Sequence, residues 1–251
     1  MDSDSAICLR AWDWSETSQT VALCTRERGV LRGVAKGAKR ERSKFCGGFE
    51  APTRGVVSFS AKPTEGLTLL TSWDLVETYP AMRTDLRCFR AGMAMVELVY
   101  HALQAGDPHP GLFDSLSGAL STLREPRLAD HALLGLLWAV LQETGHRPEL
   151  DTDVRTGEAL GSDPIFGFSA RLGGTIKDEG AGRVDREGGP VWRVRSGTIG
   201  LLRALSRGEM IGGAEGAVVA RATSLLGSYY REVFRVEPMI LRDKGPGGSE
   251  A

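Results

Sequence analysis

Residues 6–37, AICLRAWDWSETSQTVALCTRERGVLRGVAKG, contain three short strand-like runs separated by two turns. The runs cover residues 6–14, 19–26 and 29–37. β-Branched and aromatic residues are concentrated in these runs, and polar turn residues lie between them, which is typical of consecutive β-strands. This stretch therefore predicts that the chain begins with β structure.

Two further runs, residues 56–61 and 67–79, continue the same pattern, and residues 62–66 form a turn between them. Five short strands in the first 80 residues suit a small closed barrel. An OB-fold is one such barrel and an SH3-like barrel is another. The spacing of the strands leaves both possibilities open.

After Pro80 the apolar pattern becomes helical. Apolar residues from Met82 to Leu103 recur at steps of four and three, which predicts a helix with one packed stripe. Further helices are predicted from Pro110 and over residues 128–144. The predicted fold class is α+β, with three parts. They are a five-stranded barrel over residues 1–80, an α-helical domain over residues 81–240 with a glycine-rich insertion over residues 151–195, and a disordered tail over residues 241–251.

The charge of the chain is unevenly distributed. Its 251 residues carry a formal net charge of −1, yet residues 26–44 contain eight basic and two acidic side chains, a local charge of +6. A local excess of this kind indicates a surface that binds a polyanion, although a solvated loop has the same composition. The candidate nucleic-acid contacts are Arg26, Arg28, Arg32, Lys36, Lys39, Arg40, Arg42, Lys44, Phe45 and Arg54.

Two phenylalanines, Phe45 and Phe49, follow the basic run. Their rings could stack on unpaired bases, or they could fill the interior of the barrel. The sequence leaves both roles open. Glycines at 37, 47 and 48 would let the backbone bend sharply near these residues.

Signatures of catalysis are scarce. No phosphate-binding GxxxxGK[ST] motif occurs, and Gly167-Phe168-Ser169-Ala170-Arg171 lacks the final glycine of a nucleophile elbow. Asp151 and Asp153 have no matching base nearby, and the four histidines form no metal-binding motif. We therefore expect a protein that is not an enzyme.

The remaining composition favours a soluble cytoplasmic protein. All four cysteines lie in the first 90 residues without CxxC spacing and are expected to be reduced thiols. The N-terminal residues lack the apolar segment of a signal peptide. No apolar run reaches the ~18 residues needed to cross a bilayer, so no membrane association is expected.

The order of these segments resembles the bacterial recombination mediator family RecO. That family begins with a strand, an E-(T/S)-S turn, a strand ending in T-x-x-x-G and then V-A-K-G-A-R-R. The matching segments here are residues 16–18, 25–29 and 34–40. Later family motifs match residues 67–77, 97–100 and 112–120.

This resemblance implies both a fold and a function. The barrel would be an OB-fold whose strand and loop over residues 33–45 face nucleic acid. Family members bind single- and double-stranded DNA, anneal complementary strands and act with RecR to load RecA onto DNA coated by single-strand-binding protein (SSB). Their helical domain binds the SSB C-terminal tail. The resemblance thus implies a non-enzymatic, nucleoid-associated protein of the cytoplasm.

Many members of this family carry a zinc ribbon after the third helix. In this chain Asp153, Thr156, Lys177 and Gly180 occupy the four cysteine positions of that ribbon. Structural zinc sites use four Cys or His ligands, so these residues predict a degenerate ribbon that needs no cofactor. The ribbon would then be held by packing alone.

Two other classes of function remain open from the sequence. A basic strand on an OB-fold barrel also permits an RNA-binding protein. A basic patch that meets acidic partners would also suit a protein–protein adaptor.

Overall fold

The computed structural model describes residues 2–60, 67–178 and 189–239. The chain forms two compact units, residues 1–132 and 133–251. The first unit contains the barrel and the helices that follow it, so it extends well beyond the predicted boundary at residue 80. The predicted tail over residues 241–251 lies outside the described residues.

Five strands close into a barrel in the order β1-β2-β3-β5-β4. Neighbouring strands are antiparallel except for β3 and β5, which pair in parallel. This order confirms the predicted five-stranded OB-fold. The strands are β1 (Asp2–Asp13), β2 (Gln19–Thr25), β3 (Gly29–Ala35), β4 (Arg54–Phe59) and β5 (Thr68–Glu77).

Two local features close the barrel. Strand β1 shifts register between Cys8 and Arg10, and this irregularity lets it pair with β4 along its first half and with β2 along its second. Where β3 meets β5, a Cβ atom on Gly33 would lie 2.7 Å from the Leu70 side chain. Only glycine therefore allows the two strands to approach closely enough to pair.

The barrel core consists of the inward-facing side chains of all five strands and of residues that follow β3. Trp73 is the largest of them and is 1% exposed. Other members of the core are Ala6, Cys8, Val21, Leu23, Leu31, Ala35, Ala38, Phe45, Phe49, Val57, Phe59 and Leu70.

Three helices follow the barrel within the first unit: α1 (Ala81–Thr84), α2 (Leu86–Ala102) and α3 (Pro110–Thr122). The helical structure is interrupted at Asp85. The carboxylate of this residue accepts a hydrogen bond from the backbone N–H of Cys88 and caps α2. Because of this break, the apolar stripe predicted from Met82 to Leu103 is only partly buried. Leu86 and Phe89, predicted to be core residues, are 65% and 47% exposed.

After a short 3₁₀ turn (Pro126–Leu128), α4 spans Ala129–Glu143, as predicted from its nearly continuous apolar sequence. The second unit then contains a three-stranded antiparallel sheet in the order β7-β6-β8. Its strands are β6 (Ile165–Ser169), β7 (Gly174–Lys177) and β8 (Val191–Arg195). Two helices follow, α5 (Ser196–Ser206) and α6 (Gly216–Phe234).

The small sheet lies within the insertion predicted at residues 151–195. Phe168 of β6 is fully buried and contacts the ring of Tyr229 on α6 edge to face, at 5.4 Å between ring centres. Aromatic contacts of this kind therefore hold the sheet to the helices of its own unit. Within the described residues, no helix is both long and apolar enough to span a bilayer.

Candidate nucleic-acid interface

The basic segment that follows β3, residues 36–44, is a compact loop made of successive turns; we call it the basic loop. Gly37 adopts a positive φ of 68°, and its carbonyl accepts a hydrogen bond from the Arg40 N–H at 3.1 Å. The Arg40 carbonyl accepts from the Ser43 N–H at 3.0 Å, and the Ser43 hydroxyl donates to the Ala38 carbonyl at 2.8 Å. These bonds give the loop a defined shape.

The phenylalanines that follow the basic loop anchor it to the barrel core. Phe45 and Phe49 are each 5% exposed, and their ring centres lie 5.9 Å apart. Phe49 also contacts the Trp73 ring at 5.0 Å. Neither ring has a face available for a base, so of the two roles left open by the sequence the structure places both rings in the core. We therefore remove Phe45 from the candidate DNA contacts.

The basic loop is also bound to the loop between β1 and β2, residues 14–18. The Lys39 N–H donates to the Thr17 carbonyl at 3.0 Å, and the Gly37 N–H donates to the Ser18 hydroxyl at 3.1 Å. The Lys39 ammonium forms an ion pair with Asp13 at 2.5 Å. Lys39 thus holds the two loops together, and its charge is largely neutralised.

All five cations of the basic loop are exposed, and we call the four other than Lys39 the loop cations. They are Lys36, Arg40, Arg42 and Lys44. Within the part of the chain that the structure describes, none of the four forms an ion pair. The loop also contains one exposed carboxylate, Glu41, so its charge stays strongly positive.

Arg32 lies on the outer face of β3, where it is exposed and opposite Ala22 of β2. Side chains alternate along a strand, so Arg32 shares the outer face with Val34. No ion pair of Arg32 occurs among the described residues. It therefore extends the positive surface from the loop cations along the outside of the barrel.

Arg26 and Arg28 lie at the opposite end of the β2–β3 hairpin. At this end the register pairs Thr25 with Gly29, six residues and about 20 Å along β2 from the pair Gln19–Ala35 beside the basic loop. Arg26 binds Asp114 with two hydrogen bonds at 2.8 and 3.1 Å, and Arg28 binds Asp2 at 2.8 Å. The hydrogen bonds from Arg26 lower the pKa of Asp114. Both arginines have carboxylate partners and lie away from the basic loop.

Arg54 is the remaining predicted contact. It lies on β4 opposite Glu77 of β5, partly buried, and its Nε atom is buried without a hydrogen-bond partner among the described residues. Burial raises the pKa of the neighbouring Tyr79, and the charge of Arg54 opposes that shift. Arg54 is thus part of the packing near Tyr79 and is not brought to the loop cations.

Two residues that we did not predict as contacts are exposed beside the basic loop. Trp12 and Trp14 are 45% and 66% exposed, whereas Trp73 in the same barrel is buried. Strand alternation accounts for Trp12 alone. Ala11 packs against the barrel core, so its neighbour Trp12 faces outward, whereas Trp14 lies beyond the end of β1.

In the degenerate ribbon, a carboxylate stands at the position predicted to correspond to the first cysteine of a zinc ribbon. Asp153 has a side chain that is 1% exposed and accepts hydrogen bonds from the Lys177 N–H at 2.8 Å and from the Arg155 N–H at 2.9 Å. The Arg155 guanidinium pairs with it at 3.1 Å. Burial alone would raise the pKa of Asp153, but these hydrogen bonds outweigh burial and lower it.

The other predicted ribbon positions do not supply metal ligands. Thr156 is exposed, Lys177 pairs with Glu158 at 2.7 Å, and Gly180 lies outside the described residues. Among the residues that the structure describes, no three His, Cys, Asp or Glu side chains are grouped so that they could hold a metal ion. The absence of zinc stays a prediction.

The side chains that sequence analysis considered for catalysis have structural partners. The buried Ser169 hydroxyl accepts a hydrogen bond from the Leu172 N–H at 3.2 Å, and Asp151 pairs with Arg203 at 2.9 Å. Asp153 is held as described above. No nucleophile and base are brought together by these residues.

Two family models match the chain. The model described as "Recombination protein O N terminal" matches residues 1–79, and "Recombination protein O C terminal" matches residues 83–236. Together they cover the barrel and almost all of the remaining described residues.

Curated relatives bear the name DNA repair protein RecO. The protein from Anaeromyxobacter dehalogenans is 31% identical over 219 residues, which is 87% of this chain and 84% of the relative. The protein from Geobacter metallireducens is 42% identical over 157 residues, covering 62% of this chain and 63% of the relative. The protein from Bacillus pumilus is 32% identical over 170 residues, 68% of this chain and 64% of the relative.

Proposed function

This chain belongs to the RecO family of DNA repair proteins, and from that premise we propose that it is a non-enzymatic recombination mediator. It binds single- and double-stranded DNA without sequence preference and anneals complementary strands. Together with RecR it helps load RecA onto SSB-coated DNA. It acts in the cytoplasm, on the DNA of the nucleoid.

The observation that carries this proposal is the group of loop cations. Their side chains are exposed and unpaired within the described residues, while Lys39 beside them is neutralised by Asp13. Cationic side chains release condensed counterions from phosphates, which gives affinity that does not depend on base sequence. The loop cations therefore support binding to the DNA backbone.

Annealing follows from the same electrostatics. Two complementary strands repel each other through their phosphates, and cations that neutralise this charge lower the barrier to pairing. The base edges must stay accessible, so backbone contacts suit the task better than contacts that read bases. No bond is formed or broken in this process, in keeping with the structural roles of Ser169, Asp151 and Asp153.

The test is a strand-annealing assay on complementary oligonucleotides, first bare and then coated with SSB, with and without RecR. We expect the protein to accelerate annealing of bare strands. On SSB-coated strands, we expect RecR to change the rate of annealing. Reversing the charge of all four loop cations should abolish the acceleration. Annealing by the reversed variant at the wild-type rate would overturn the proposed role of the basic loop.

A parallel binding measurement separates the two other classes of function. Equal or tighter binding of single-stranded RNA than of DNA of the same length would favour an RNA-binding protein. Binding of an SSB tail peptide with no affinity for DNA would favour an adaptor.

A further inference from the structure

Trp12 and Trp14 are the exposed aromatic residues of the barrel, and the proposed function does not yet use them. A single exposed apolar side chain is ordinary in a folded protein. Two indoles two residues apart are a larger apolar surface, and the other large aromatic rings of the barrel, including Phe59 and Trp73, are buried. An exposed apolar surface of this kind indicates a binding site.

Both indoles are exposed at the same end of the β1–β2 hairpin. Trp12 pairs with Thr20, and Trp14, one residue beyond the end of β1, donates its backbone N–H to the Ser18 carbonyl at 2.9 Å. In extended backbone the Cα atoms of residues i and i+2 lie about 7 Å apart. That separation is about twice the 3.4 Å rise between stacked nucleotides of one duplex strand. The two side chains therefore start from positions that suit neighbouring bases of an extended strand.

The nearest neighbour of Trp12 across the sheet is Thr20, which is too short to cover the indole. The next row is closed, because Ala22 is fully buried although it lies opposite the exposed Arg32. The open surface is therefore limited to the row of Trp12 and the end of the β1–β2 hairpin.

The indoles are physically joined to the basic loop. The β1–β2 loop that follows Trp14 is bonded to it through Lys39 and Gly37. Asp13, which lies between the two tryptophans in sequence, is neutralised by Lys39. An unpaired carboxylate at this point would repel phosphate, and the ion pair removes that repulsion.

We propose that Trp12 and Trp14 form a stacking platform for unpaired bases of single-stranded DNA whose phosphates are held by the loop cations. This inference rests on the proposed function and adds selectivity to it. Phosphate contacts hold single and double strands alike, whereas an indole can stack only on a base that is not already paired and stacked. The platform thus makes the barrel prefer single strands.

The experiment compares the variant Trp12→Ala/Trp14→Ala with the wild type on an oligo-dT strand and on a duplex of equal length. Stacking on aromatic side chains predicts a loss of single-strand affinity of roughly tenfold or more. Duplex affinity should change less than twofold, and the salt dependence should stay the same. The matched control is Phe89→Ala, which removes an exposed aromatic ring from α2.

A second measurement covers the case in which the double alanine variant does not fold. In Trp12→Phe/Trp14→Phe the smaller rings should keep most of the affinity, while oligo-dT should quench much less tryptophan fluorescence than in the wild type. An unchanged quench would overturn the platform.

The results also separate this inference from the proposed function. If reversing the loop cations weakens binding while Trp12→Ala/Trp14→Ala does not, the platform is wrong and the proposed function stands. An equal loss on single strands and duplex would likewise contradict stacking. If neither variant weakens binding, the proposed interface itself is wrong.

Discussion

The basic loop of the barrel and the degenerate ribbon of the second unit are both charged segments containing glycine, yet their charges have different roles. In the basic loop, four of five cations have no ion-pair partner among the described residues. In the ribbon, Arg155 pairs with Asp153, Lys177 with Glu158 and Arg193 with Asp178. The comparison teaches that a run of charge indicates binding only where the fold leaves the charges unpaired.

The largest effect is expected when glutamate replaces all four loop cations and reverses their charge. Four phosphate contacts contribute about −2.8 to the slope of log affinity against log salt for a single strand. Taken from 1 M to 50 mM salt, their loss weakens single-strand binding by about three to four orders of magnitude. Fluorescence anisotropy with an oligo-dT strand measures it. The free energy of unfolding should change by less than about 2 kcal/mol, since each of the four surface substitutions contributes at most about 0.5 kcal/mol.

The matched control reverses four cations that have carboxylate partners in the second unit. They are Lys177, Arg193, Arg207 and Arg231. Because the net charge changes equally, a similar loss of affinity in this control would mean that overall charge, and not the basic loop, determines binding.

The second prediction concerns the ribbon. Asp153→Ala removes the buried carboxylate that accepts two backbone N–H groups and pairs with the Arg155 guanidinium, and removing the acceptor of buried donors is costly. We expect the free energy of unfolding to fall by about 3 kcal/mol, measured by urea denaturation, with unchanged DNA affinity. The exposed neighbour Asp151→Ala should cost less than about 1 kcal/mol. Equal effects of the two substitutions would contradict the role given to Asp153.

The third prediction is a pH dependence. The pKa of Asp153 is lowered in the folded protein, so its ionised form stabilises the fold above its unfolded pKa of about 3.9. This contribution is lost as the pH falls through the folded pKa. The difference in unfolding free energy between the wild type and Asp153→Asn should therefore be constant near neutral pH and shrink below about pH 4. A constant difference down to pH 2 would show that Asp153 does not titrate in this way.

The smallest expected effect is that of metal removal. Asp153, which the family resemblance aligns with a zinc-ligating cysteine, accepts hydrogen bonds from Arg155 and Lys177. Purified protein should contain far less than one zinc per chain by elemental analysis, and a chelator should leave the melting temperature unchanged. One zinc per chain would contradict the interpretation of the ribbon.

The sequence predicted the barrel well because its signals are local. Turn residues separate the five strands, and the structure places the strand ends within a few residues of the predicted ones. The helical stripe was less accurate. A single capping residue, Asp85, interrupts the helix and changes which side chains of α2 face inward, so Leu86 and Phe89 are exposed.

The candidate site was harder to predict, because contacts between residues distant in sequence determine which cations are available to bind DNA. Arg26 is paired by Asp114, which lies 88 residues away, and Lys39 by Asp13 at the end of β1. The amino-acid composition does not distinguish these paired cations from the unpaired Arg40 and Arg42. Likewise, Phe45 and Trp12 are both aromatic residues near positive charge. Phe45 lies outside the strands, so no alternation in the sequence indicates that its ring is buried in the barrel core.

The most direct test of the central claim is the salt dependence of single-strand binding for the wild type, the loop-cation variant and the paired-cation control. If unpaired loop cations hold the phosphates, the slope of log affinity against log salt should become less steep by about 2.8 in the loop-cation variant only. Equal slopes for all three proteins would contradict the account.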